Sequence, residues 1–161
     1  MSEKPGSAGS MIHETGFGWF LRTASESDTR TCPLRPQADS VGRAREVTRT
    51  TLRQWGLPEL SEDASLVVSE LVTNAVRYAR YPVGEWSDHP ITLVLLHVAP
   101  HVLLAVSDPS DRVPAPKEPD FVSEHGRGLY IVETYSQAWG WDPLDHGGKA
   151  VWALLRGSAR T

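Results

Sequence analysis

ITLVLLHV, residues 91–98, is followed after only Ala99 and Pro100 by HVLLAVSD, residues 101–108. Two such β-rich runs separated by a tight turn read as an antiparallel hairpin. The elements around it then decide the architecture. TCPLR, 31–35, is a short edge strand, because prolines stand on both sides of Leu34. WGWDPL and KAVWALLR form a last hairpin around DHGG, 145–148. Helical patterns lie between these strands in blocks. This order predicts an α+β two-layer sandwich: helices on a mixed, mostly antiparallel sheet.

The first helical pattern starts near Asp39. Val41, Ala44, Thr48, Leu52 and Trp55 keep the helical period, with Arg43, Arg45, Glu46 and Arg49 mostly elsewhere. Asp39 or Ser40 can cap its start, and Gly56 followed by Pro58 marks its stop. A second helix runs from Ser61 to about Arg80, with Glu62 and Asp63 at the positive end of its dipole. Val67, Val68, Leu71, Val72, Ala75, Val76 and Ala79 make it apolar around more than half its circumference, so it is mostly buried. A third helix is expected over 128–139. YPVGEWSDHP, 81–90, and the proline-rich stretch 109–120 are loops. Residues 1–28 are expected to be largely a mobile tail, in which GFGWFLR, 16–22, either pairs as a strand or docks its aromatics. The folded domain is then 29–157, with a short tail over 158–161.

Composition narrows the function. The 161 residues suffice for one domain with a proper core, and the net charge of −4 argues against a general nucleic-acid binder. No apolar run approaches a membrane span, and the N-terminus lacks the apolar stretch of a secretory signal. Cys32 is the single cysteine, which excludes an intrachain disulfide and a multi-cysteine metal site. These features predict a cytoplasmic protein.

Four polar features interrupt this apolar pattern. Glu70 and Asn74 lie one turn apart on the second helix and so point the same way. Asp108 ends an apolar strand. Gly126, Arg127 and Gly128 stand where the proline-rich loop enters a helix. Gly147, Gly148 and Lys149 open the last strand. Each has a plain structural reading: a water-facing stripe, a turn-starting aspartate before Pro109, and two glycine loops.

Their order and spacing resemble the N, G1, G2 and G3 boxes of the GHKL ATPase superfamily, which includes gyrase, histidine kinases and MutL. The pieces SELVTNAVRYA, VSDPSDRVP, GRGLYIVE and GGKAVWALL are most similar to the small anti-sigma-factor serine/threonine kinases of the RsbW and SpoIIAB type. Ala44–Arg45 and Trp55-Gly56-Leu57 fit actinobacterial members. The resemblance spans about residues 29–156.

The resemblance implies the Bergerat ATP-binding fold, with ATP and Mg²⁺ as cofactors. Asn74 would supply an oxygen ligand to Mg²⁺, a cation that prefers such ligands. Glu70 would take the proton of the attacking hydroxyl. Asp108 would accept the adenine amino group. Gly126, Arg127, Gly128 and Leu129 would cradle phosphates at a helix N-terminus, with Gly148 and Lys149 also against the nucleotide. Arg127 either faces phosphate or points to solvent. Arg77, on the Glu70 stripe, either reaches phosphate or Glu70, or is solvated. The stretch 109–125 would be a lid over ATP. The expected partner is an anti-anti-sigma protein of the STAS class, with a sigma factor held by a homodimer. No nucleic acid and no membrane are expected.

The chain departs from this pattern in two places. Tyr78 stands where many relatives have histidine. Ala150 stands where relatives commonly carry a threonine, whose hydroxyl would help bridge adenine and Asp108 through water. A second reading is therefore kept beside the kinase: a nucleotide-binding or partner-sequestering module without phosphoryl transfer. Among the other residues, no histidine pair has metal-ligand spacing on a helix. His97 and His101 read as surface residues flanking a turn. Trp139, Trp141 and Trp152 are expected to face one another across the last hairpin.

Overall fold

The computed structural model describes residues 17–78, 91–109, 124–145 and 147–157. Among the described residues four α-helices and five strands follow one another: α1 (Phe17–Thr23), β1 (Thr29–Leu34), α2 (Ser40–Gln54), α3 (Ser61–Tyr78), β2 (Ile91–Val98), β3 (His101–Asp108), α4 (Glu124–Tyr135), β4 (Ala138–Pro143) and β5 (Lys149–Arg156). The strands form one sheet in the order β1-β2-β3-β5-β4, and every pairing is antiparallel. The expected α+β sandwich is present. The β2–β3 hairpin holds the centre, with the turn at Ala99 and Pro100 as its length demands.

Alternation along the strands gives the sheet two apolar faces. One carries Leu93, Leu95, Val102, Leu104, Val106 and Ala153, and packs against Leu52 of α2, Val67, Val68, Leu71 and Val72 of α3, and Val132 of α4. This is the main core. The other face carries Val94, Leu96, Leu103, Ala105, Ala150 and Trp152. There α1 covers it, with Phe17 buried and Phe20 packed alongside. FGWFLR, 17–22, is thus helical and not a strand, and it docks Phe17 and Phe20 while Trp19 stays exposed. Within the expected tail, residues 17–28 hold α1 and a 3-10 turn over Glu26–Asp28. The Phe17 amide donates to Asp142 Oδ2 of β4 at 2.8 Å, which ties α1 to the sheet.

Helix ends obey local chemistry. Gly56 takes φ +76°, its N–H bonds the Arg53 carbonyl and the Leu57 N–H reaches back to the Leu52 carbonyl. That paired arrangement closes α2 and needs a left-handed residue at Gly56. At the start of α2 neither expected cap operates: Asp39 makes no side-chain cap bond, and the Ser40 hydroxyl instead donates to the Arg35 carbonyl.

Two expectations are corrected. The third helix spans Glu124–Tyr135, four residues earlier than predicted over 128–139. Ala138 and Trp139 belong to β4, because the Gln137 N–H already bonds the Leu154 carbonyl and hands the chain to the sheet. The tryptophans do not meet across the last hairpin. The register sets Trp139 against Ala153, Trp141 against Val151, and Trp152 against Gly140. Trp139 therefore lies in the main core and Trp152 on the face under α1. A one-residue difference of register exchanges faces, and the spacing of aromatics alone does not reveal it.

Candidate nucleotide site

The site begins at one end of the sheet. Asp108 is the last residue of β3, and Lys149 is the first of β5; they are directly opposed in the register. Both share the side-chain parity of Val106 and Val151, which pack with the helices, so both point to the helix side of the sheet. They are buried, at 6% and 7% exposure. The Lys149 ammonium donates to Oδ1 of Asp108 at 3.0 Å and to Oδ2 at 3.2 Å. A buried carboxylate is tolerated where a cation and hydrogen bonds compensate its desolvation, and Lys149 provides both.

Gly148 makes this meeting possible. Its φ is +85°, a left-handed conformation that side chains resist, and a Cβ placed there would come 2.2 Å from the Asp108 carbonyl oxygen. Gly147, with φ +101°, shares the left-handed turn. The two glycines let the start of β5 press onto the end of β3. The Leu144 N–H closes the turn on the Gly148 carbonyl.

Helix α3 crosses this sheet face and packs against β2, β3 and β5. Ala64, Val67, Val68, Leu71, Val72 and Ala75 form its buried face. Glu70 and Asn74 border that face and are half-buried, whereas Arg77 is exposed. The polar stripe thus lies at the margin between core and solvent. A carboxylate and an amide oxygen one turn apart, partly exposed, are oxygen donors suited to a hard cation and to proton transfer.

Helix α4 packs beside α3. Gly126, Arg127 and Gly128 lie inside its first turns, and not at a loop-to-helix junction as expected, because the helix already begins at Glu124. The Gly126 N–H still belongs to the first turn, whose N–H groups have no intrahelical acceptor, whereas the Arg127 N–H already has one four residues back. Leu129 is buried in the main core, so its side chain serves packing.

The expected lid falls mainly in 110–123, outside the described residues, as does the loop 81–90. Ala150 requires a correction. It is fully buried on the sheet face under α1, together with Phe17 and Trp152. A side chain at position 150 points away from Asp108, so the missing threonine hydroxyl has no bearing on a bridge to that carboxylate. The residue on the helix side, with Asp108, is Lys149. Sequence reasoning names Asp108 and Lys149 separately and misses their pairing. The only signal is that each lies at the end of its strand, and register alone joins them.

Among the described residues no group of three or more His, Cys, Asp or Glu is placed to hold an ion. His97 is not simply solvated. It stacks on Trp55 at 5.1 Å between centroids, with Asp28 Oδ1 3.7 Å from Nδ1. His101 pairs with the Gln137 side chain at 3.0 Å. Among the described residues no helix is long and apolar enough to cross a membrane.

Comparison with known proteins agrees with this arrangement. The sequence profile described as the histidine kinase-like ATPase domain matches residues 34–154. No curated protein sequence matches the chain significantly. Among solved structures, the chain is similar to the crystal structure of the RsbU and RsbW domains of Rv1364c from Mycobacterium tuberculosis, with a TM-score of 0.61 and 18% identity. The match covers 83% of this chain and 33% of that one, so the chain spans about a third of that relative's length. At this identity the likeness is one of fold.

Proposed function

The chain belongs to the histidine kinase-like ATPase domain family, and from that premise we propose that it is an ATP-binding regulatory kinase. It would phosphorylate a serine or threonine of an anti-anti-sigma partner of the STAS class. The observation that carries the reading is the buried Asp108 on the helix side of the sheet, held at the end of β3 by Lys149 and Gly148, beneath a helix bearing Glu70 and Asn74. The similarity to a structure that includes an RsbW domain supports the regulatory setting. The Ala44–Arg45 and Trp55-Gly56-Leu57 pieces resemble those of actinobacterial members.

The residues present fit the cofactors. Gly148 brings the start of β5 directly against the Asp108 backbone, where a side chain would collide, and Asn74 offers a half-buried amide oxygen on α3. Bound ATP supplies the transferable phosphoryl group, and Mg²⁺ neutralises charge on it. Asn74 would hold the cation. Glu70 would accept the proton of the incoming hydroxyl as that oxygen becomes a phosphate ester oxygen. Asp108 would receive a donor group of the base. The first-turn N–H group of Gly126 would orient a phosphate oxygen, with the Arg127 side chain beside it. A sigma factor held inactive by a homodimer, in the cytoplasm, completes the scheme.

The second reading, a nucleotide-binding or partner-sequestering module without transfer, draws support from the same pair, because Asp108 is already engaged by an ammonium. Calorimetric titration with ATP and Mg²⁺ tests the common part. Wild-type binding should weaken by about tenfold or more in Asn74→Ala, as loss of a metal ligand costs on that order. Transfer of labelled γ-phosphate to a STAS protein then separates the two readings. Absence of ATP binding by the folded wild type would dismiss both nucleotide roles and leave partner sequestration.

A further inference from the structure

Helix α3 sorts its side chains by their angle around the axis. Residues three, four and seven apart fall on one side, so Asp63, Leu66, Glu70 and Asn74 form a single stripe. That stripe runs outside the buried face made by Ala64, Val67, Val68, Leu71, Val72 and Ala75. Asn74 stands one turn to the C-terminal side of Glu70. Leu66 stands one turn to the N-terminal side.

Leu66 is the residue on this stripe that the fold does not explain. It is 43% exposed, whereas Val67, Val68, Leu71 and Val72 of the same helix are 3% exposed or less. It therefore forgoes the stabilisation that a buried leucine brings. Asp63 is exposed in the first turn, where the helix dipole favours an acid. Among the described residues no cation engages it. A carboxylate and then an apolar side chain thus lead along the surface to Glu70. At the helical rise per residue, Leu66 lies about 6 Å from Glu70 along the axis and Asp63 about 10 Å.

In the kinase reading given above, on which this inference rests, Asn74 and its cation put the nucleotide on the C-terminal side of Glu70. The accepting hydroxyl then reaches Glu70 from the other side, over Leu66. We propose that Leu66 and Asp63 are the docking stripe for the phosphoryl-accepting protein. That partner presents an apolar side chain about 6 Å from its hydroxyl and a lysine or arginine about 10 Å from it. Leu66 supplies the apolar contact and Asp63 the complementary charge. Neither touches the nucleotide.

Steady-state transfer of labelled γ-phosphate to a STAS-domain protein tests it, with ATP saturating. Leu66→Asp should raise the KM for that protein about tenfold or more, with kcat and the KM for ATP within about threefold of wild type. Leu66→Met, of similar volume and apolarity, should keep the wild-type KM. Asp63→Lys should raise the KM about threefold or more, and the rise should shrink at high salt, which screens an exposed charge pair. A folded Leu66→Asp variant with an unchanged KM would overturn the proposal while leaving the kinase reading intact. So would a fall in kcat alone. If Leu66→Asp does not fold, Asp63→Lys decides, and an unchanged KM there overturns the proposal. Absence of transfer by the folded wild type would remove the kinase reading itself, and the docking stripe with it.

Discussion

Gly148 is the residue with the least freedom in the site. Its φ of +85° and the 2.2 Å approach of an added Cβ to the Asp108 carbonyl oxygen both forbid a side chain. Gly148→Ala should therefore cost about 2–4 kcal/mol, from left-handed strain plus displacement of backbone that cannot yield as a flexible side chain would. Urea unfolding measures this, and a change below about 0.5 kcal/mol would mean that the turn re-forms in another conformation. Glu70 makes the opposite kind of prediction. It borders the core without filling it, so Glu70→Gln should leave the unfolding midpoint nearly unchanged. It should lower phosphoryl transfer by about 10²–10⁴-fold, the usual worth of a general base, with ATP affinity within about threefold of wild type. Normal transfer by Glu70→Gln would show that another group takes the proton. Glu70, Asn74, Asp108 and Lys149 are nameable from the sequence only because the pieces that carry them, in that order and spacing, resemble the boxes of an ATPase family. The orientation of Ala150 is not, because neighbouring strand residues face opposite ways, and only the pairing says which faces the helices.

At the scale of elements, local chemistry accounts for most boundaries. The end of α2 is a case: a glycine, two backward hydrogen bonds and then Pro58 leave the helix no way to continue. Gly56→Ala should cost about 1 kcal/mol through its φ of +76° alone, since nothing stands within 4 Å of an added Cβ. A thermal melt showing no loss would mean that α2 ends by another route. The β2–β3 hairpin is legible for a similar reason, because two apolar runs with a two-residue gap can scarcely pair in another way. The start of α4 is not. Gly126 and Gly128 argue locally against helix, yet they lie within it. Their propensity penalty is about 1 kcal/mol each, small against the packing of Leu129 and Val132 on the core.

The whole molecule adds a layer that its parts do not announce. The sheet has apolar residues on both faces, and three helices cover only one of them. Helix α1 covers part of the other, with Phe17 at 7% exposure and its amide bound to Asp142. Phe17→Ala should cost about 3 kcal/mol, near the lower end for a buried phenylalanine because α1 is short and at the margin. Deletion of residues 1–24 should leave the far-ultraviolet signature of the sheet and α2–α4. It should also increase the binding of an apolar dye, because Leu103, Ala105 and Trp152 lose their cover. Dye binding equal to that of the full chain would mean that the face is shielded without α1.

By itself the sequence determined most kinds of element and the antiparallel hairpins, which follow from periodicity, turn residues and spacing that act over a few positions along the chain; the family came from a resemblance of short pieces, which the profile over residues 34–154 bears out. Tertiary structure alone decided that Lys149 pairs with Asp108, that Ala150 and Trp152 turn to the far face, and that α1 folds back onto the sheet. Each of these depends on register or on packing between segments distant in sequence. A shift of one residue in register reverses every side chain of a strand, and no local signal carries that information.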